Sequence, residues 1–188
     1  MKELNIAIVG AGIGGLTAAL ALQRAGFKVT VYEQAPELGE VGAGLSLSPS
    51  AAHALRYLGL GPALDAASYL PEDQAVRHYQ DGRALQWTNR GHALLEKYGE
   101  RYYLIHRADL HDALAAAVRA NDPEAIRLGQ RCTGVTQTGE RAQIAFEGGA
   151  IVDAGQPPLK QQQGGEIMNA AVGAGSQSRM AGLMRAAD

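Results

Sequence analysis

The period of the apolar positions changes twice within the first 33 residues. Leu4, Ile6, Ala7, Ile8 and Val9 form a nearly continuous apolar run, the pattern of a strand covered on both faces of a parallel sheet. Glycines follow at 10, 12, 14 and 15. Residues 16–25 are rich in Ala and Leu, a good helix that Gly26 stops. Residues 28–32 are a second, β-branched strand with Glu33 at its end. Residues 34–49 read as a loop punctuated by glycine and proline, with an extended piece at 45–47.

Later patterns are local. A helix is expected over 50–58, stopped by Gly59, and another turn or two over 62–67. Residues 75–79 and 83–87 flank Asp81-Gly82, a hairpin signal. Residues 102–106 read as a strand. Leu110, Leu114 and Val118 recur at i, i+4, i+8 and predict a helix over 108–120, ended by Asn121-Asp122-Pro123. Residues 125–128 read as a third parallel strand. Residues 132–138 and 142–146 form a second hairpin around Gly139-Glu140, with Ile151-Val152 as its continuation.

The opening strand, Gly10-Ala11-Gly12-Ile13-Gly14-Gly15, helix, strand and acid together make the dinucleotide fingerprint in the context it needs. Gly10 permits the tight turn, Gly12 lets a pyrophosphate approach the backbone, and Gly15 lets the helix pack on the strand. The helix N-terminus offers N–H groups and a partial positive charge to phosphate. Glu33, 18 residues after Gly15, can accept from ribose hydroxyls, and its charge disfavours a 2′-phosphate. The bland alternative is a glycine-rich turn with no ligand.

Composition narrows the rest. A chain of 188 residues can bury one sizeable core plus an appendage. Charged residues are 19% and the net charge is −2, so no footprint for nucleic acid or an anionic membrane is present. Cys132 is the only cysteine, which excludes an internal disulfide and a cysteine-cluster metal site and suits a reducing cytoplasm. Lys2 and the apolar residues to Leu22 mimic a signal peptide, but the glycines break that segment and the fingerprint explains it better. No other stretch is apolar enough to span a bilayer. No metal site is expected from the histidines: His106 and His111 are five apart, and His53, His78 and His92 have no ligand partners nearby in sequence. Tyr98, Tyr102 and Tyr103 read as packing.

Several motifs in order resemble the single-component flavin hydroxylases, nearest their salicylate and 3-hydroxybenzoate hydroxylase branch. They are the Gly10 to Gly15 turn, Glu33, Glu40-Val41-Gly42-Ala43-Gly44, Ser48-Pro49 and His106-Arg107-Ala108-Asp109-Leu110. Ser50 departs from the family's usual Asn. The resemblance covers about residues 4–146. It implies an α/β fold: a Rossmann-like FAD-binding domain with a parallel sheet and a β-meander, cut short. It also implies FAD held by Gly10, Gly12, Gly14, Gly15, Glu33 and Gln34. Gly42, Ala43 and Gly44 then run beside the flavin, Arg107 reaches the pyrophosphate or ribityl chain, and Val135 lies on the adenine strand. Independently of the family, a cation just inside a helix N-terminus is unfavourable, and a bound diphosphate would offset that cost; the alternative is a solvated arginine.

The domain division expected is 1–153 for the FAD-binding part and 154–188 for a degenerate or truncated tail. From Glu147 onward there is no aromatic residue. Val152-Asp153-Ala154-Gly155-Gln156-Pro157, with Gly165 and Met168 beyond, resembles a degraded second FAD motif, which would give Asp153 the ribityl chain; an altered or frameshifted end is the alternative. The family's D-G motif has no match.

The enzyme reading is an FAD-dependent monooxygenase that hydroxylates a small aromatic acid with NAD(P)H as transient reductant and O2, incomplete in this chain, with no nucleic-acid or membrane partner. A non-catalytic FAD-binding remnant and an NAD-dependent oxidoreductase are the other two readings. No residue is named as a catalytic base.

Overall fold

Alternation along the first strand explains how the sheet is covered. The computed structural model describes residues 2–39, 42–138 and 141–155; the Glu40-Val41 pair, the Gly139-Glu140 turn and the tail beyond residue 155, with most of the second-motif resemblance, lie outside them. In β1 (Lys2–Val9), Ile6 and Ile8 face one way and Ala7 and Val9 the other, as a period of two requires. Ile6 and Ile8 meet Val29 and Val31 of β2 (Phe27–Tyr32) and the apolar sides of α1 (Ile13–Arg24) and α5 (Arg107–Asn121). On the opposite face, Ala7 and Val9 join Tyr32, Ile144 and Phe146 in a smaller core. The Tyr32 and Phe146 rings meet at 4.8 Å between centroids.

β1 and β2 pair in parallel, and β2 pairs in parallel with β8 (Ile126–Arg127), the expected third parallel strand. The meander follows as β9 (Cys132–Thr138), β10 (Arg141–Phe146) and β11 (Ile151–Gly155), all antiparallel to their neighbours. β11 lies against β1, so one six-stranded sheet runs β8-β2-β1-β11-β10-β9. Among the described residues the pairing of β11 with β1 is Asn5 with Gly155.

Between these halves of the sheet lie smaller pieces. β3 (Gly44–Leu47) and β4 (Ser68–Tyr69) flank β7 (Tyr103–His106) in an antiparallel sheet. α2 (Pro49–Tyr57) begins where Ser48 caps Ala51 N–H at 3.4 Å and proline occupies the first turn. α3 (Gly61–Ala67) follows. β5 (Asp73–Arg77) and β6 (Ala84–Asn89) form the expected hairpin. Two elements were not legible beforehand: β4, only two residues long, and α4 (His92–Tyr98), which ends on Gly99 at φ 69 and buries no residue.

Candidate functional site

The glycines of the turn after β1 divide by what each one does. Gly10 has φ 102, a conformation that favours glycine, and its N–H donates to the Tyr32 carbonyl at 2.8 Å, tying the turn to β2. Gly15 is buried in α1; a Cβ there would collide with the Gly10 carbonyl and touch Ile8 at 3.5 Å. Gly12 and Gly14 face open space, with nothing within 4 Å of a Cβ at either, and Gly12 has an ordinary φ of −69. Gly12 is the N-cap of α1 and supplies no side chain to it. The first turn carries no acidic residue, so its free N–H groups and positive dipole end are not neutralised from within the helix.

Glu33 stands beside that turn. One carboxylate oxygen accepts from Ala11 N–H at 2.7 Å and the other from Ala35 N–H at 2.9 Å. The residue's own backbone is fixed by Arg127 and Gln130, since Glu33 N–H donates to the Arg127 carbonyl and its carbonyl accepts from Gln130. A carboxylate oxygen has more than one acceptor direction, so both oxygens keep capacity for a further hydroxyl. Gln34 next to it is exposed.

A third strand of the site arrives through β3 and α5. Arg107 N–H donates to the Ala43 carbonyl at 3.0 Å, and Gly44 is in register with His106. A Cβ at Gly42 would run into the His106 imidazole, so the glycine segment lies flat against that ring. Arg107 is the first residue of α5, as expected, and is half-buried; Asp109 in the same turn offsets its charge toward the helix dipole.

His111 is the residue that sequence reasoning missed. It is 3% exposed, and its Nε2–H donates to the Ala11 carbonyl at 2.7 Å. It lies one helical turn after Arg107, so both occupy the face of α5 turned toward the glycine turn. The available signal was its spacing: four and seven residues before Ala115 and Val118, it interrupts an apolar stripe with a polar ring. The structure thus gathers Gly10, Gly12, Gly14, Gly15, Glu33 and His111 around one turn, while Ala43 and Arg107 are joined to each other and reach it through α5, one helical turn before His111. Val135 and Asp153 sit elsewhere in the hydrogen-bonding pattern. Val135 is half exposed on the edge strand β9, and Asp153 is exposed on β11, where it accepts from Gln143 at 3.0 Å.

Among the described residues no group of three or more His, Cys, Asp or Glu is placed to hold a metal ion, and no helix is long and apolar enough to cross a membrane.

A parallel β-α-β unit with a glycine turn open at the helix N-terminus and an acid at the second strand is the Rossmann-like arrangement. The family of NAD(P)-binding Rossmann-like domains matches residues 8–43. Over 151 residues the chain is 39% identical to 3-amino-4-hydroxybenzoate 2-monooxygenase PtmB3 of Streptomyces platensis, a match covering 80% of this chain and 37% of the relative. Over 112 residues it is 42% identical to 3-hydroxybenzoate 6-hydroxylase of Polaromonas naphthalenivorans (strain CJ2), covering 60% of this chain and 28% of that one. The crystal structure of CtdE in complex with FAD superposes with a TM-score of 0.65 at 27% identity, covering 82% of this chain and 37% of that one. The chain is thus similar to part of these monooxygenases and hydroxylases, and it spans less than two fifths of the length of each of them.

Proposed function

We propose that this chain holds FAD by its ADP half. The observation that carries the reading is the turn itself: Gly12 and Gly14 leave the N-terminus of α1 open while Glu33 is already fixed 2.7 Å from the Ala11 N–H. A pyrophosphate would meet the N–H groups of the first turn of α1, and the free acceptor capacity of Glu33 would meet the ribose hydroxyls. Arg107, at the end of α5 nearest the turn, would supply a cation to the phosphates or the chain beyond them. Residues 1–153 are taken as this FAD-binding part.

When bound, the flavin would supply redox chemistry with NAD(P)H and O2; the protein's share is binding, orientation and exclusion of water. The relatives' names point to a small aromatic acid as the substrate class and to monooxygenation as the reaction. A reducing cytoplasm suits the one cysteine, Cys132, which is free.

The test is a titration of the purified chain with FAD, followed by flavin fluorescence and the visible spectrum, beside a titration with NADH. Saturable FAD binding with a shifted flavin spectrum is expected. Tight NADH binding with none for FAD would replace this reading with that of an NAD-dependent oxidoreductase.

A further inference from the structure

We propose that His111 is a positioning residue for the bound dinucleotide, acting through the Ala11-Gly12 peptide. The proposal rests on the FAD reading above and adds to it a residue from a helix about a hundred positions away in sequence. A carbonyl oxygen only accepts, so the 2.7 Å contact from His111 to Ala11 fixes the proton on Nε2. The ring is held in place by burial: its side chain is 4% exposed. Nδ1 has no hydrogen-bond partner among the described residues, and the Asp112 carboxylate stands 3.9 Å from it. Among the described residues the Ala11 carbonyl contact is therefore the one hydrogen bond the ring makes.

The consequence follows from peptide geometry. A trans peptide is planar, and its C=O and N–H point in opposite directions. Anchoring the Ala11 oxygen on a buried ring of α5 turns the Gly12 N–H the other way, away from that ring. The preceding peptide is held too, because the Ala11 N–H is bound to Glu33 at 2.7 Å. Ala11 is thus gripped on both sides, by a strand-end acid and by a helix histidine. Donation to a carbonyl also polarises its amide, so the Gly12 N–H becomes a better donor to an anion. The ligand class this serves is a pyrophosphate, which adenosine lacks.

The experiment compares affinities of the full chain for FAD, ADP and adenosine by calorimetry in three variants. In glutamine, Nε2 is three bonds from Cβ, as it is in histidine; in asparagine the amide nitrogen falls one bond short. We expect His111→Gln to keep FAD and ADP within about threefold of the original. His111→Asn and His111→Leu should each weaken both by roughly tenfold, the size of one lost hydrogen bond, with adenosine unchanged. Equal losses for ADP and adenosine, or no difference between His111→Gln and His111→Asn, would overturn the proposal and leave His111 a core residue. If His111→Leu fails to fold, the Gln and Asn pair decides alone. ADP binding that survives every substitution refutes this inference only; an unsubstituted chain that binds neither ADP nor FAD refutes the dinucleotide reading and this inference with it.

Discussion

Gly12 and Gly15, three residues apart in one turn, should fail in different ways when substituted. A Cβ at Gly15 has no room against the Gly10 carbonyl, so Gly15→Ala forces β1 and α1 apart. Overpacking of this kind costs about 1–3 kcal/mol, read as a lowered Tm. Gly12→Val meets open space at an ordinary φ, so the fold should survive with Tm nearly unchanged while FAD affinity falls at least tenfold, as measured by calorimetry. Glu33→Ala removes the acceptor for two backbone N–H groups, and charge-assisted bonds of this type are worth roughly 1.5–3 kcal/mol each at most. It should therefore lower both Tm and FAD affinity, where Gly12→Val lowers only affinity. The fingerprint residues were legible because each glycine's role follows from its place in a strand-turn-helix. His111 was not, because its partner, the Ala11 carbonyl, is a backbone atom brought near only when α5 packs on α1.

At the scale of elements, α2, α3 and β7 are joined by a cluster around Arg56. Its guanidinium pairs with Asp65 on α3 and with Glu100 at 2.7 Å, and it donates to the Tyr103 hydroxyl at 2.6 Å. Tyr103 in turn donates to Glu100 at 3.1 Å. These bonds hold the Asp65 carboxyl below its ordinary value of 3.8, chiefly through its hydrogen bond to Arg56, while burial pushes the Tyr103 phenol above 10.0. The signs differ. Stability from Asp65 is present above pH 3.8 and is lost as pH falls below it; stability from Tyr103 is present below pH 10.0 and is lost as pH rises beyond it. Asp65→Asn should flatten the acid limb of a Tm-against-pH profile and Tyr103→Phe the alkaline limb. Most elements were legible from period and turn residues, including the parallel strand β8 and both hairpins. α4 is hard to read because it spans only seven residues and buries none of them, although Gly99 marks its end.

At the scale of the whole molecule, several of the exposed apolar side chains among the described residues lie on and around the β5–β6 hairpin. Val76 is 49% exposed, Leu85 53% and Trp87 59%, with Tyr79 and Tyr69 more so. Trp87 is the only tryptophan, so it reports on that surface alone. Its emission should be that of a solvated indole and should be quenched readily by iodide; a blue, protected emission would mean that another surface covers the hairpin. Because Trp87 lies on a different sheet from the glycine turn, FAD should raise Tm by mass action while leaving iodide access to Trp87 unchanged.

The return of β11 to β1 has a consequence for the order in which the chain assembles. β1 meets β2 across a short helix, a local closure that forms early, whereas β11 must return from about 150 residues away, and such distant pairings are slow. The meander reaches the rest of the sheet through Asn5 and Gly155, the stacked rings of Tyr32 and Phe146, and the packing of Ala7 and Val9 with Ile144 and Phe146. It should behave as a cooperative unit of its own, detaching without dissolving the β1-α1-β2 half. Native-state hydrogen exchange should then show amides of Val135, Ile144 and Val152 exchanging together, at a lower opening energy than those of Ile8, Val29 and Val31, and Phe146→Ala should widen that gap by speeding release of the meander alone.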